Sequence, residues 1–401
     1  MARPLGKRIP FPSNHSPLKC FNGLTTYHGT PKVENPHFIR HNWMNPRGDQ
    51  VKRVITHGAV FFIFFATVLA FFRDSEAAPL KRPFSFEQVT QREGLSGEMV
   101  CSIAVQGEEV WFGTYSGGAN LYHRAKKTWK VYTTKGESPP ETDDGNTIQW
   151  KNLPSYNHVS VILPDGDRIW FGTYFYGFGG GGISYYDPLK TPPWKRFSTN
   201  HGVAKKIVSM AAERDRLWVG SEKGLSVLDK TTEKWESFYS TQDGLSGNFV
   251  NALLIQSGFL WVGTNGGVSR FHKAQKVWKT YSEKEGLTGE IKSLQRVGQK
   301  IWAGTAEGAL FEYDPSADRW KKIDPTDPLK NSEIQSILTT EGKVFICRDH
   351  GVSVYDLSTG HWESITTSSG LLSNMVLTAA EDKDGIWFGT DKGASRLILT
   401  P

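Results

Sequence analysis

Short apolar runs separated by polar turns fill residues 83–401. The runs are four to eight residues long, are rich in Val, Ile, Trp, Tyr and Phe, and alternate in polarity. This period of two predicts β-strands, because successive side chains of a strand point to opposite faces of a sheet. In the clearest unit, residues 244–285, the pattern predicts four strands at about Phe249–Gln256, Leu260–Thr264, Val268–Lys273 and Lys276–Tyr281.

Tryptophan occupies two positions of a repeat built from this unit. The first position recurs at Trp111, Trp170, Trp218, Trp261, Trp302 and Trp387, with Phe345 where the spacing predicts a seventh, and the second at Trp129, Trp194, Trp235, Trp278, Trp320 and Trp362. Only Trp43 and Trp150 of the 14 tryptophans fall outside the pattern. The first positions are 59, 48, 43, 41, 43 and 42 residues apart, and intervals in the low forties are typical of four-stranded propeller blades.

The fold class predicted is therefore all-β, a seven-bladed β-propeller at residues 83–401. Radial closure covers both apolar faces of every sheet and leaves only short edges. The last unit lacks its fourth strand, while residues 84–95 match the run from Trp362 to Leu371, with Phe86 in the tryptophan place. We infer that this N-terminal strand closes the last blade.

Two motifs of the unit carry a family resemblance. The run Trp261-Val-Gly-Thr-x-x-Gly and the preceding Gly244-Leu-Ser-Gly, together with Leu228-Asp-x-x-Thr in a sister unit, resemble the two-component regulator propeller repeat over roughly residues 83–400. The resemblance implies an extracytoplasmic sensor-type domain, often found ahead of a membrane helix and a histidine kinase. We expect the propeller part of such a protein, without the kinase part.

The basic character of the chain belongs to its N-terminus. Residues 1–53 carry a net charge of +7 and the whole chain carries +6, so residues 54–401 sum to −1, which argues against a nucleic-acid partner. These residues are proline-rich and lack apolar periodicity, so we predict a disordered tail. Residues 54–77 predict a signal peptide cleaved after Ala77 or a membrane anchor at residues 54–72. Either places the propeller outside the cytoplasm, in the periplasm or at the cell surface.

Two insertions, on connections predicted to share the top face, flank one blade. The connection from Trp129 to Asn157 takes 28 residues, against 12 or 13 elsewhere, and the loop Tyr174-Phe-Tyr-Gly-Phe-Gly-Gly-Gly-Gly182 is six residues longer than its counterparts. Insertions in repeat proteins often map to the binding face. Their aromatic side chains predict a surface for a glycan, peptide or protein, unless they only cover the enlarged loop; they are Trp150, Tyr174, Phe175, Tyr176 and Phe178.

A second candidate site comes from aligning the start of the first strand of each blade. The aligned residues are polar throughout: Glu98, Asn157, Lys206, Asn248, Glu290, Glu333 and Asn374. They predict a ring at the channel mouth that holds a polar ligand, or that only caps the loops before the strands. We predict no metal site from them, because hard cations need several converging oxygens.

The sequence carries no catalytic motif and predicts no cofactor. We therefore expect a non-enzymatic binding module with a sensor-like or scaffold role. The alternative is a propeller-type lyase or glycosidase that uses the carboxylates of Glu98, Glu290 or Glu333, because propellers host many chemistries.

Overall fold

A computed structural model describes residues 85–134, 156–174, 181–197, 204–323, 326–327 and 329–399. All of them lie in one compact unit that spans residues 78–401. The tail at residues 1–53 and the signal or anchor segment at residues 54–77, both predicted above, lie outside the described residues. Within the described ranges, no helix is both long enough and apolar enough to span a bilayer.

Twenty-eight strands account for nearly all regular structure in the described residues. In chain order they are β1 (Ser85–Val89), β2 (Val100–Gln106), β3 (Glu109–Thr114), β4 (Ala119–His123), β5 (Thr128–Tyr132), β6 (Val159–Asp165), β7 (Arg168–Thr173), β8 (Gly182–Tyr186), β9 (Trp194–Phe197), β10 (Ile207–Ala212), β11 (Arg216–Ser221), β12 (Gly224–Asp229), β13 (Lys234–Tyr239), β14 (Val250–Gln256), β15 (Phe259–Thr264), β16 (Gly267–His272), β17 (Val277–Tyr281), β18 (Ile291–Val297), β19 (Lys300–Thr305), β20 (Leu310–Asp314), β21 (Arg319–Ile323), β22 (Ile334–Thr339), β23 (Lys343–Arg348), β24 (Gly351–Asp356), β25 (Trp362–Ile365), β26 (Val376–Asp382), β27 (Gly385–Thr390) and β28 (Gly393–Ile398). Two short 3₁₀ helices, Glu283–Glu285 and Thr367–Ser369, precede β18 and β26.

The strands form seven four-stranded antiparallel sheets, numbered here as blades in chain order. Blades 1 to 6 each take four consecutive strands, from β2–β5 to β22–β25, and blade 7 combines β26, β27 and β28 with β1. The first strands of neighbouring blades contact each other around the whole ring, so they line its axis. The predicted seven-bladed propeller is confirmed.

The ring closes through the N-terminal strand. Strand β1 pairs with β28 along five residues, and Phe86 lies opposite Leu397. In blade 6, Trp362 lies opposite Tyr355 in the same relation. The inference that Phe86 takes the tryptophan place of the last blade is therefore correct.

The run that begins at Trp261 has a structural meaning at each position. Trp261 is buried in the core between blades 4 and 5. A Cβ on Gly263 would lie 2.6 Å from a methyl group of Ile291, so glycine lets the next blade pack closely. The Thr264 hydroxyl donates to the carbonyl of Gly267 and accepts from the N–H of Gly266, which closes the turn. The motif thus encodes blade packing.

The Gly-Leu-Ser-Gly motif joins one blade to the next. Gly244 has φ of 116°, and a Cβ there would lie 2.7 Å from Cβ of Trp278. Leu245 is buried in the core, and the N–H of Ser246 donates to the Ser269 hydroxyl at 2.7 Å. Both family motifs are therefore explained by packing and turns within the ring.

Every blade carries a β-bulge near the start of its first strand. In each of the seven ladders one residue is skipped; the skipped residues are Cys101, Ser160, Val208, Asn251, Lys292, Gln335 and Leu377. A bulge re-aims a side chain that regular alternation would point elsewhere. Two of them donate to the backbone of the next blade: Ser160 to the carbonyl of Ile207 at 2.6 Å and Asn251 to that of Ile291 at 2.9 Å.

Candidate functional site

The top face of the ring holds the connections between blades and the loops between second and third strands. In blades 1 to 6, the carbonyl of the residue just before the first strand accepts a hydrogen bond. The donor is the N–H of the first residue in the loop between the second and third strands. The residues before the strands are Met99, His158, Lys206, Phe249, Glu290 and Glu333, and their partners are Tyr115, Tyr174, Glu222, Asn265, Ala306 and Asp349. These twelve residues surround the channel mouth.

The predicted ring of seven equivalent polar residues is wrong as an alignment. Lys206, Glu290 and Glu333 immediately precede their strands, whereas Glu98, Asn157, Asn248 and Asn374 lie one residue further away. The strand starts, which are Val or Ile in all seven blades, are the correct anchor for the alignment.

The three asparagines cap the connections between blades. The side-chain oxygen of Asn248 accepts from the N–H of Thr241 at 2.8 Å, and that of Asn374 from the N–H of Thr367 at 2.7 Å. Asn157 bonds Thr134 three times, from 2.6 to 2.9 Å, through both backbone groups and the hydroxyl. This is the loop-capping alternative considered for the polar ring. Glu98 is exposed.

Both insertions start from one spot on the top face. The bonds between Thr134 and Asn157 bring together the two ends of the first insertion. His158 follows directly, and its ring lies 5.3 Å from that of Tyr174, which opens the second insertion. Trp150, Phe175, Tyr176 and Phe178 lie outside the described residues. The structure thus places the roots of the two insertions in contact.

An aromatic group surrounds these roots on blades 1 to 3. Tyr115 is 39% exposed, and its ring lies 4.5 Å from His158. Tyr174 is only 7% exposed, with the ammonium of Lys206 at 5.4 Å from its ring; Lys206 also pairs with Glu222 at 2.9 Å. Tyr174 therefore belongs to the packed base of the site, which corrects its prediction as a surface aromatic.

Burial controls the titration of the groups beneath this surface. His158 is 3% exposed, and burial lowers its pKa to about 4, so the imidazole is neutral at pH 7. The thiol of Cys101 lies 3.9 Å from Nε2 of His158, and burial raises its pKa to about 12. The base of the aromatic side is therefore uncharged, apart from the ion pair of Lys206 with Glu222.

The opposite side of the mouth, on blades 4 to 6, is charged. The ammonium of Lys292 lies 3.7 Å from a carboxylate oxygen of Glu290 and 3.9 Å from one of Glu333. Asn251 donates to Glu290 at 2.9 Å. Burial raises the pKa of Glu333, an effect opposed by Lys292 and reinforced by Asp349 and Glu290. Two of the predicted carboxylates are thus brought together, around a lysine.

Sequence reasoning missed Tyr115, His158, Lys292 and Asn251. His158 would have emerged from an alignment on the apolar residue that starts each first strand. The directions in which the side chains of Lys292 and Asn251 point depend on the β-bulge, and no residue type in the sequence indicates a bulge. Among the described residues, no group of three or more His, Cys, Asp and Glu side chains is placed to hold a metal ion.

The fold and the family motif are matched by known proteins. The model of the two-component regulator propeller family matches residues 370–392, which confirms the resemblance in that repeat. Comparison with curated proteins found no matching relative. The chain is thus a seven-bladed propeller that carries the two-component regulator repeat.

Three solved structures are similar in fold. The extracellular domain assigned to the hybrid two-component system BT3049 of B. thetaiotaomicron is 22% identical, with a TM-score of 0.64 over 80% of this chain and 41% of that one. The corresponding domain of BT4673 from the same organism is 22% identical, with a TM-score of 0.62 over 78% and 39%. The computationally designed Ika8 protein is 12% identical, with a TM-score of 0.52 over 79% and 100%. The chain spans about two fifths of the two bacterial domains, and likeness at this identity shows the fold.

Proposed function

We propose that this propeller is an extracytoplasmic, non-enzymatic binding module with a sensor-like role, and that it captures a glycan, peptide or protein on its top face beside blade 2. The observation that carries the proposal is the common root of the two insertions. Asn157 ties the ends of one insertion, and the adjacent His158 packs against Tyr174 at the start of the other. Any ligand that contacts one insertion near its base also meets the other.

The residues at the common base of the two insertions can recognise a ligand through both aromatic rings and polar groups. Tyr115 offers a partly exposed ring with a polar tip. Tyr and Trp are enriched at interfaces, because they combine an apolar ring with a group that forms hydrogen bonds. His158 and Tyr174 are held by burial, so the surface is pre-organised and loses little freedom on binding. The placement outside the cytoplasm is supported by residues 54–72 and by the bacterial extracellular domains that share the fold.

The test is capture of a partner from membrane and envelope extracts, together with a glycan panel, by the chain and by two matched variants. The double variant Tyr176→Ala/Phe178→Ala removes aromatic side chains of the second insertion and should abolish capture with little change in thermal stability. Asn265→Ala alters the same loop in blade 4, which has no insertion, and should capture normally. Equal capture by all three proteins would overturn the proposal.

A second function is favoured by one observation only. Glu290 and Glu333 both lie within 4.0 Å of Lys292, so their carboxylates are close enough for a propeller-type lyase or glycosidase with two acidic groups. The lysine between them neutralises charge, which suits a structural ion cluster better. Turnover of a polysaccharide by the chain, lost in both Glu290→Gln and Glu333→Gln, would establish the enzyme instead.

A further inference from the structure

The ring has one boundary that no connection along the chain crosses. Strand β1 leads into blade 1, whereas β28 follows blade 6 through β26 and β27, so at this seam β28 is held to β1 and blade 1 by non-covalent contacts. Three ion pairs cross the seam: Arg124 with Asp382, Glu108 with Lys383, and Glu87 with Arg396. In each pair one partner belongs to β1 or blade 1, and the other to β26, β28 or the turn after β26. The two ends of the propeller are thus joined by opposite charges.

Asp382 lies at the centre of these contacts. Its side chain is completely buried. It accepts hydrogen bonds from the guanidinium of Arg124, from Nε of Arg396 at 3.2 Å and from Nε1 of Trp387 at 3.1 Å. The side chains of both arginines are only 12% exposed. Because Arg124 belongs to blade 1 and Arg396 to β28, this one carboxylate couples the two sides of the seam, and its removal would leave two like charges close together.

Two other blades place a carboxylate at the same position, five residues before the first tryptophan. Asp165 and Glu213 accept from Nε1 of the first tryptophan of their blades at 3.1 Å. Each pairs with one lysine of the next blade, Lys230 or Lys273, and with no second cation among the described residues. The other four blades have uncharged residues at this position: Gln106, Gln256, Val297 and Thr340. The seam is therefore the junction at which one such carboxylate holds two cations.

The remaining charged groups at the seam are exposed to solvent. The exposed fraction of the side chain is 57% for Glu87, 43% for Glu108 and 59% for Lys383. Arg124 also lies 3.7 Å from Glu108, so negative and positive charges alternate along one continuous series. We call this series the ionic clasp; its members, in order, are Glu87, Arg396, Asp382, Arg124, Glu108 and Lys383. Salt screens its exposed ends much more than its buried centre.

We propose that the ionic clasp is a conformational latch that keeps β1 paired with β28, and that salt promotes the release of β1 by screening the exposed ends of the clasp. Strand β1 has only five residues and lies at the edge of blade 7, and elements with few partners open locally before the whole protein unfolds. Glu108 and Lys383 lie in turns between first and second strands, at the face opposite the channel mouth. The latch is therefore independent of the proposed function.

The experiment measures amide hydrogen exchange of the full chain, strand by strand, at low salt and at about 1 M NaCl, where the screening length is about 3 Å. We expect exchange in β1 to become at least about threefold faster at high salt, because two exposed ion pairs across the seam are weakened. Strand β21 is the internal control, since it is also a five-residue edge strand and its side chains form no ion pair among the described residues. Equal responses of β1 and β21 would overturn the proposal.

A first pair of variants separates the clasp from general stability. Asp382→Asn removes the shared carboxylate and should lower the Tm and speed exchange in β1 at least about tenfold. Asp165→Asn makes the same change beside the first tryptophan of blade 2. It should lower the Tm without a selective effect on β1, because its partner Lys230 lies far along the chain from the seam. Exchange in β1 that is as fast in Asp165→Asn as in Asp382→Asn would contradict the proposal.

A second, milder pair keeps the test decisive if Asp382→Asn does not fold. Glu87→Gln removes only an exposed end of the clasp. It should speed exchange in β1 about two- to fivefold and reduce its response to salt. Glu363→Gln removes an exposed ion pair with Lys343 inside blade 6 and should leave β1 unchanged. If exchange in β1 is as slow in Glu87→Gln as in the parent protein, the clasp does not hold the closing strand.

Discussion

The two sides of the channel mouth use the same backbone positions for different chemistry. On blades 1 and 2 the loop residues are Tyr115 and Tyr174, and their side chains form an aromatic surface with His158. On blades 5 and 6 the residues just before the first strands, where blades 1 and 2 have Met99 and His158, are Glu290 and Glu333, which engage Lys292. The backbone hydrogen bonds are the same on both sides. The repeat therefore supplies a fixed scaffold, and side-chain identity alone decides what each side of the mouth can do.

The two sides of the mouth also differ in loop length and in what holds their side chains. The aromatic side coincides with both insertions, and its side chains are packed by burial. The charged side coincides with blades of ordinary loop length, and its side chains are held by ion pairs. Packing against a rigid ring pre-organises a surface for a partner, whereas a compensated ion cluster mainly links neighbouring blades.

The largest effect is expected from Tyr174→Ala. Tyr174 is 7% exposed, and loss of a buried aromatic side chain costs about 3 kcal/mol of unfolding free energy. Asp349→Ala changes the equivalent loop position on the charged side, where the carboxylate is partly exposed, and should cost less than about 1 kcal/mol. Urea unfolding of both variants checks the contrast. Equal losses would mean that the two sides are packed alike.

A smaller effect is expected from Lys292→Met. Its side chain is 11% exposed and faces two carboxylates, so its removal leaves like charges near each other, at a cost of about 2 kcal/mol at pH 7. The cost should shrink at acidic pH, as the carboxyl groups become protonated. Val208→Met introduces the same side chain at the bulge of blade 3. This control measures the effect of a methionine at a bulge where no charge is removed. A cost for Lys292→Met that does not change with pH would show that Lys292 acts through packing.

The smallest effect is expected from Glu333→Gln and depends on pH. Burial raises the folded-state pKa of Glu333 above its unfolded value. The folded state therefore favours the protonated carboxyl, and this contribution to stability is present below the unfolded pKa and lost as pH rises through the folded pKa. Glutamine cannot ionise, so the stability of Glu333→Gln relative to the parent protein should increase between pH 4 and pH 7. Urea unfolding across that range checks the sign, and a constant difference would contradict it.

The sequence was sufficient for the architecture because the signals are local and repeated. The spacing of Trp218, Trp261 and Trp302 identifies the blade, and the match of Phe86 to Trp362 identifies the closing strand. Each blade must bury its faces against two neighbours, so the same residue types recur at the same places. For the candidate site, the sequence located the two insertions and named Lys206, Glu290 and Glu333 at the mouth.

Which of these side chains meet depends on the tertiary structure. The bulge that turns Lys292 toward Glu290 and Glu333 changes no residue type, and Tyr174 packs against His158 of its own blade and Lys206 of the next blade. The one-residue shift of Asn157, Asn248 and Asn374 relative to Lys206, Glu290 and Glu333 is visible only from the observed starts of the first strands. A period of residues along the chain specifies strands and their order, because it is a local property. Contacts between blades depend on where the backbone places each side chain in space.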